Sequence, residues 1–148
     1  MSKHKLADKF NPKDFEDKLY EDWEKKGYFK PNYNKDKESY CIMMPPPNVT
    51  GKLHMGHALD DTIQDVLIRF KRMNGYNTLW LPGSDHAAIS TEMKVVQKLA
   101  KEGKSKKDLG RDKFLDEAWA WTKEYGGIIQ SQQRKLGCSC DWEKNRFT

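Results

Sequence analysis

The sequence predicts an α/β fold in which parallel strands are joined by crossover helices, preceded by an N-terminal helix. Two short apolar runs, 39–44 and 77–81, have strand character, and a long amphipathic segment, 54–73, lies between them. Strand, helix and strand in this order form a βαβ unit, so the two strands should run parallel in one sheet. The 148 residues suffice for one compact domain with a modest core.

The N-terminal helix is predicted to begin at Asn11-Pro12, because Asn is a favoured cap and Pro is favoured at the first helical position. Apolar residues then recur at one-turn spacing and predict a helix that packs on the core: Phe15, Leu19 and Trp23. Gly27 is a natural end. We assign residues 1–38 to an N-terminal helical extension. Residues 1–10 lack the hydrophobic segment of a signal peptide.

The first strand, 39–44, ends in a continuous apolar run, which is typical of strands buried on both faces. Three prolines, 45–47, end this strand because proline has no amide hydrogen for the ladder. In the following helix, 54–73, apolar residues share one face, which we expect to pack on the core: Leu59, Ile63, Val66, Leu67 and Phe70. Asp60 and Asp61 lie near its start, where negative charge suits the helix dipole.

Two further helices are predicted after the second strand, at about 91–102 and 111–136. The apolar residues of the longer one share a face: Phe114, Ala118, Trp121, Tyr125 and Ile129. The glycine pair 126–127 should weaken or bend its middle, because glycine disfavours helical backbone.

Charge and cysteine content limit the class of protein. Charged residues make up 33% of the chain and the net charge is +5, which suits anionic partners such as nucleotides or RNA, or simply a lysine-rich surface. No apolar run has the length of a membrane span. The odd count of cysteines favours a reducing compartment, the cytoplasm. Cys138 and Cys140 are poor evidence for zinc, which needs four ligands, and we predict no metal site.

The start of the helix at His54 is the leading candidate for a functional site. Ligands bind at the carboxyl ends of parallel strands, and a helix N-terminus there offers free amides to phosphate. His54 and His57 are three residues apart on nearly one face, and Gly56 allows close approach. The pair predicts a phosphate clamp. Two surface histidines, or half of a metal site, are the alternatives. Neither the P-loop nor the dinucleotide-binding glycine pattern occurs.

Asp85 follows the second strand as the histidine loop follows the first, so we expect it to face the same crevice. A carboxylate in this position can hold a cationic group through charge-assisted hydrogen bonds. The alternative is a cap for the helix that follows.

Three ordered segments resemble signatures of class I aminoacyl-tRNA synthetases. The first contains Pro45-Pro46-Pro47-Asn48-Val49-Thr50-Gly51 and His54-Met55-Gly56-His57, which resembles the HIGH signature in its valyl form. Segments 79–87 and 136–148 resemble two later valyl signatures, so the resemblance covers nearly the whole chain. Four residues depart from the common form: Thr, Gly and Ala commonly stand at the positions of Ser84, Ala88 and Ser90, and a small residue often stands at the position of Lys52.

The resemblance implies a Rossmann-like nucleotide-binding fold of which residues 39–148 form the first half only, truncated before the editing insertion. It implies an N-terminal fragment of an enzyme that activates valine with ATP and Mg²⁺, as valyl-adenylate, and transfers it to tRNA(Val). We expect no membrane or DNA partner, and we expect the fragment alone to be incompetent for full aminoacylation. The alternatives are an adenylyl-transferring relative that uses no tRNA, and a non-catalytic module that binds RNA or a partner chain.

The resemblance also implies roles for individual residues. His54 and His57 are the implied catalytic residues, which hold the phosphates as charge develops, and Gly56 makes room for adenine. The implied ATP-binding residues are Pro47, Asn48, Thr50, Gly51, His54, Gly56 and His57. The implied amino-acid-binding residues are Pro45, Pro46 and Asp85, with Asp85 and the carbonyl of Pro46 holding the valine ammonium.

Overall fold

The computed structural model describes residues 8–148; residues 1–7, part of the predicted extension and of the segment searched for a signal peptide, lie outside the described residues. The helices are α1 (Glu16–Lys25), α2 (Met55–Met73), α3 (Ala88–Lys101) and α4 (Lys106–Leu136). The strands are β1 (Ser39–Met43), β2 (Asn77–Leu81), β3 (Gly83–Ser84) and β4 (Arg146–Phe147). Within this described part, no helix is both long and apolar enough to cross a bilayer.

The predicted βαβ unit is confirmed. β1 and β2 pair in parallel from Ser39 opposite Asn77 to Met43 opposite Leu81, and α2 connects them. The ladder continues one step further, where the Met44 amide donates to the Leu81 carbonyl over 3.0 Å. Both strands therefore end at the same edge, which positions the loops that follow them side by side.

The predicted inner face of α1 is confirmed only at Trp23, which is half-buried and lies against the Phe29 ring. Phe15 and Leu19 stay exposed, whereas Tyr20 is buried. The Tyr20 hydroxyl donates to the Cys138 carbonyl over 2.6 Å and accepts from the Trp142 indole over 2.8 Å. A buried tyrosine needs partners for its hydroxyl, and these two partners draw the Tyr20 face of the helix inward.

α2 also buries a different face from the one its apolar residues predict. The residues that we call the apolar stripe are each 44–65% exposed: Leu59, Ile63, Val66, Leu67 and Phe70. The buried face instead carries Asp61, Gln64 and Ile68. Gln64 fits there because its side-chain carbonyl accepts from the buried Trp80 indole over 2.9 Å, and a buried polar group with its partner in place costs little.

β1 is likewise not buried on both faces, contrary to its apolar run. Tyr40 and Ile42 pack against the core, whereas Cys41 and Met43 on the opposite face are exposed. In the described residues β1 pairs with β2 alone. The strand therefore shows the alternation of a sheet covered on one side.

The third signature packs beneath the sheet and has a structural role. Cys138 and Cys140 belong to a buried cluster with Trp80. Between them, Ser139 donates from its amide and its hydroxyl to the Asp65 carboxylate over 2.9 and 2.5 Å. Arg72 donates to the Ser139 carbonyl over 3.1 Å. These bonds fasten the end of α4 to α2.

α4 breaks at a different glycine from the predicted pair. Gly110, with φ 73° and ψ 174°, is the non-helical position, and the helix continues through 126–127. The predicted start at 111 coincides with this kink. The predicted inner face of α4 is confirmed at Phe114, which packs with Val95 and Leu99 of α3.

Asp61 gives the fold a pH-dependent term. It lies beyond the first turn of α2, not at the dipole end, and its buried carboxylate accepts from Gln133 over 3.3 Å. Burial raises the pKa of Asp61 to about 6. Because the folded pKa lies above the unfolded one, the folded state binds the extra proton, and the contribution of Asp61 to stability should fall as the pH rises from about 4 to 6.

We expect Asp61→Asn to remove that loss, which amounts to about 3 kcal/mol for about two pKa units. Urea unfolding of both proteins at several pH values checks this. Asp112→Asn, which removes an exposed carboxylate from α4, is the control. A difference in unfolding free energy between the parent and Asp61→Asn that stays constant between pH 4 and 6 would contradict the assignment.

Candidate active site

The loops after β1 and β2 are joined by backbone hydrogen bonds. The Val49 amide donates to the Asp85 carbonyl over 3.0 Å, and the Asp85 amide donates to the Pro47 carbonyl over 2.9 Å. Asn48 and Asp85 thus form a parallel bridge beyond the prolines. The expectation that Asp85 lies beside the histidine loop is confirmed for the backbone.

Gly83 explains how the two loops approach so closely. A side-chain carbon at Gly83 would lie 3.0 Å from the Arg146 carbonyl oxygen and 3.6 Å from the Cβ of Pro46. Gly83 also pairs with Arg146 in the short β3–β4 ladder. A larger residue there would push β4 away from the loop that contains Asp85.

His54 and His57 cap the start of α2 reciprocally. His54 is the N-cap residue, and its Nδ1 accepts from the Gly56 amide over 3.1 Å. The His57 Nδ1 accepts from the His54 amide over 3.3 Å. The ring centres lie 4.0 Å apart, which confirms that both imidazoles share one face.

This cap selects the tautomer of each neutral ring, because both Nδ1 atoms accept from backbone amides. A neutral imidazole that accepts at Nδ1 carries its hydrogen on Nε2. Burial, and then the neighbouring His54, lower the pKa of His57, so its ring is neutral at physiological pH. Each histidine can therefore donate from Nε2 while its Nδ1 holds the helix start, and the two donors sit at the positive end of the α2 dipole.

A side chain at position 56 would collide with the ring of His54. A Cβ at Gly56 would meet Cε1 of His54 at 2.9 Å and its Nδ1 at 3.0 Å. The imidazole of His54 occupies that space as it caps the helix. The sequence suggested only an approach by a ligand, and this packing is an additional constraint on position 56.

One carboxylate oxygen of Asp85, Oδ1, is held by hydrogen bonds within the protein. Its Oδ1 accepts from the Ala87 amide over 2.7 Å and from the Thr148 hydroxyl over 3.1 Å. Across the described residues, no hydrogen bond reaches Oδ2. The Ala87 amide, the Thr148 hydroxyl and His86 hold the pKa of Asp85 below its usual range. The carboxylate is thus charged and fixed, with one oxygen available to a cation.

Ala87 is the N-cap of α3 and lies in the left-handed region, at φ 44° and ψ 52°. That conformation costs a residue with a Cβ about 1–2 kcal/mol. Glycine avoids this cost in the folded state, but its more flexible unfolded chain offsets part of the gain. We expect Ala87→Gly to raise the free energy of unfolding by about 0.5–1 kcal/mol, measured by urea denaturation. Ala88→Gly, at a helical position next to it, should lower it. A destabilised Ala87→Gly protein would contradict this reading.

The remaining predicted site residues differ in accessibility. Pro45, Pro46 and Asn48 are exposed, and Thr50 and Gly51 are half-buried. Pro47 is buried and its carbonyl is bonded to Asp85. Pro47 therefore acts on any ligand through the position of the loop.

Two supports of the signature loop were missed by the sequence analysis. The Trp121 indole donates to the Val49 carbonyl over 2.9 Å, and the Gln132 side-chain carbonyl accepts from the Leu53 amide over 2.9 Å. Both supports come from α4. Trp121 could have been noticed as a polar-tipped aromatic on the predicted inner face, whereas nothing in the sequence marks Gln132.

The potential metal ligands of the described residues do not cluster. Within residues 8–148, no three His, Cys, Asp or Glu side chains lie together as a metal site would require. Cys41, Cys138 and Cys140 are free, and burial raises the pKa of both Cys138 and Cys140 far above that of an ordinary thiol. These two thiols behave as small core residues.

The family profile described as tRNA synthetases class I (I, L, M and V) matches residues 18–148. The chain belongs to the class I tRNA synthetases. The match includes most of α1, both loops of the site and the third signature, so the resemblance seen in the three signatures is confirmed. In this synthetase chain the first two signatures build the candidate site. The third links the end of α4 to α2 through Ser139 and supports Asp85 through Thr148.

Relatives named valine–tRNA ligase are similar over the whole of this synthetase chain. One, from Clostridium perfringens, is 55% identical over 148 residues, which are 100% of this chain and 17% of the relative. Another, from Bdellovibrio bacteriovorus, is 56% identical over 143 residues, which are 97% of this chain and 16% of the relative. The chain therefore spans about a sixth of the length of these relatives.

Solved synthetase structures share the fold. A LeuRS of Agrobacterium radiobacter K84, in a ternary complex with tRNA and LeuAMS, matches 95% of this chain and 16% of its own, with a TM-score of 0.76 at 18% identity. A Mycobacterium tuberculosis methionyl-tRNA synthetase with methionyl-adenylate matches 70% of this chain and 17% of its own, with a TM-score of 0.52 at 24% identity. The predicted partial Rossmann-like fold is confirmed.

Proposed function

We propose that this chain supplies the first half of the catalytic domain of a valine–tRNA ligase, with residues 1–38 as an N-terminal extension and 39–148 in the catalytic domain. The observation that carries the proposal is the backbone bridge between Asn48 and Asp85, which joins the charged Asp85 to the loop that leads into the His54–His57 cap of α2. The names of the relatives from Clostridium perfringens and Bdellovibrio bacteriovorus support valine as the amino acid.

The proposed reaction has two steps and needs no protein nucleophile. A carboxylate oxygen of valine attacks the α-phosphorus of ATP, the bond to the bridging oxygen breaks, and pyrophosphate leaves. The ribose hydroxyl at the end of tRNA(Val) then attacks the acyl carbon, and AMP leaves. Catalysis rests on alignment of the reactants and on stabilisation of the charge that develops on phosphate oxygens.

In this proposal His54 and His57 stabilise the phosphate charge. Their Nε2 donors are preorganised because both Nδ1 atoms are bonded to backbone amides. Fixed donors need no reorganisation as charge develops, which is the condition for a large effect on the transition state. Pro47, Asn48, Thr50, Gly51 and Gly56 complete the proposed ATP-binding loop.

Asp85 and the carbonyl of Pro46 are proposed to hold the valine ammonium, with Pro45 beside them. Asp85 suits the task because its charge is retained at physiological pH and its Oδ1 is anchored. The described residues offer no carboxylate cluster for Mg²⁺. Mg²⁺ would accompany ATP, and it would neutralise charge on the phosphates.

Partners and location belong to the same proposal. Valine, ATP and tRNA(Val) are the partners, and neither DNA nor a membrane takes part. The cytoplasm agrees with three free cysteines, since thiols persist in reducing compartments. Incompetence of the chain alone for full aminoacylation stays a prediction, motivated by the exposed apolar stripe of α2.

A chimera tests the proposed function. The Clostridium perfringens ligase aligns with all 148 residues, so this chain can replace the corresponding part of it. We expect the chimera to exchange pyrophosphate into ATP with valine, and to charge tRNA(Val). Valine-independent exchange, or equal exchange with leucine and isoleucine, would contradict the proposal. Exchange with valine but no tRNA charging would favour the adenylyl-transferring alternative.

A further inference from the structure

A lysine-lined groove lies beside the signature loop, outside the site described above. Its volume is about 490 Å³, and it runs between that loop, α3 and α4. Three of its lysines, Lys94, Lys98 and Lys101, belong to α3 and are spaced so that they share one helix face. Lys52 enters from the signature loop itself.

The groove keeps most of this positive charge. Glu117 lies 2.9 Å from Lys98 and neutralises it. Glu102, at the end of α3, pairs with Lys104. In the part of the chain that the structure describes, no carboxylate forms an ion pair with Lys52, Lys94 or Lys101. Three cations therefore remain for an anionic ligand.

Two aromatic side chains of α4 form the wall of the groove. Trp121 and Tyr125 stack with ring centres 4.2 Å apart and an interplanar angle of 21°. The Trp121 indole is tied to the Val49 carbonyl of the signature loop. The aromatic pair is thus fixed in place, and both residues line the groove and are partly accessible.

We propose that this groove binds single-stranded RNA, with Lys52, Lys94 and Lys101 on the phosphates and a base against the Trp121–Tyr125 pair. A cationic groove that follows a backbone, combined with aromatic stacking, is the usual device for single strands. Binding of a free phosphate would use only the lysines and would leave the aromatic pair without a role. The fixed aromatic wall favours a ligand with both phosphates and exposed bases, which a duplex does not offer.

Binding of the 148-residue chain to a fluorescent oligoadenylate of about twelve nucleotides, the scale of single-strand sites, tests this directly. Anisotropy is measured without ATP or valine over a range of salt concentrations. The groove variant is Lys94→Gln with Lys101→Gln. The control variant is Lys18→Gln with Lys37→Gln. It removes the same charge from two exposed positions that do not line the groove.

We expect the groove variant to bind at least about fivefold more weakly and to lower the slope of log K against log salt by about 1.4, since each phosphate contact of a single strand contributes about 0.7. The control should change affinity by less than about twofold, because it removes no groove contact. Equal losses in both variants, or an unchanged slope in the groove variant, overturn the proposal.

The aromatic contribution is tested with Tyr125→Ala and Tyr125→Phe. Loss of a stacked base weakens binding by roughly five- to a hundredfold, so the Ala variant should bind weakly and the Phe variant nearly normally. An abasic strand that binds as tightly as oligoadenylate, or a duplex that binds more tightly, also overturns the proposal. Because no nucleotide is present, these outcomes are independent of amino-acid activation in the chimera.

Discussion

His57→Asn in the chimera is expected to lower valine-dependent pyrophosphate exchange by about a hundredfold to a thousandfold, the usual effect of losing one preorganised donor. An asparagine places an acceptor near the position of Nδ1, so the hydrogen bond from the His54 amide can persist. It places nothing at Nε2. The variant therefore separates the cap from the donor, and its thermal stability should stay close to that of the parent.

His57→Gln is the matched variant, because a glutamine amide reaches toward the position of Nε2 and can donate there. We expect it to retain more activity than the Asn variant although it disturbs the cap. Activity should also fall once the pH drops far enough to protonate His57, whose pKa lies below that of an ordinary imidazole, because a protonated ring can no longer accept at Nδ1. Equal activity of the parent and the Asn variant would leave His57 as a cap only.

Asp85→Asn is expected to weaken the valine dependence of exchange by about tenfold to a hundredfold while sparing the ATP dependence. This is the range for a lost hydrogen bond to a charged group. Asparagine can still accept from the Ala87 amide, so the turn into α3 is kept. The substitution therefore removes only the negative charge at Oδ2, which in this proposal attracts the ammonium of valine.

Thr148→Val controls for the local role of Asp85. It removes the hydroxyl that donates to Oδ1 and leaves the carboxylate charged. If Asp85 recognises the ammonium, the Thr148 variant should keep a nearly normal valine dependence. A normal valine response in Asp85→Asn, measured with ATP saturating, would reduce Asp85 to a residue that holds the turn.

The sequence predicted the order of elements well because each rests on local signals. β2 begins and ends where its apolar run does, and α2 starts directly after His54. The buried face of α2 could not be predicted in this way. A partner for Gln64 exists only because Trp80 lies opposite in the folded sheet, and the apolar stripe indicates a surface that the described residues leave open.

The candidate site was predictable in its residues and less so in its chemistry. Spacing placed His54 and His57 on one face, but their Nδ1 bonds to backbone amides depend on the cap geometry of His54. The position of Asp85 followed from the parallel strands, whereas the bond between its Oδ1 and Thr148 joins residues 63 apart in sequence. No local pattern carries that contact.

A crystal structure of the chimera with a non-hydrolysable analogue of valyl-adenylate would show whether these residues hold the adenylate. We expect the Nε2 atoms of His54 and His57 to lie within about 3.2 Å of oxygens on the phosphate-like group. We also expect the ammonium to contact Oδ2 of Asp85 while Oδ1 keeps its bond to the Ala87 amide. An analogue bound with its ammonium away from Asp85, or with both imidazoles bonded only to protein, would rule out the proposed roles of these residues.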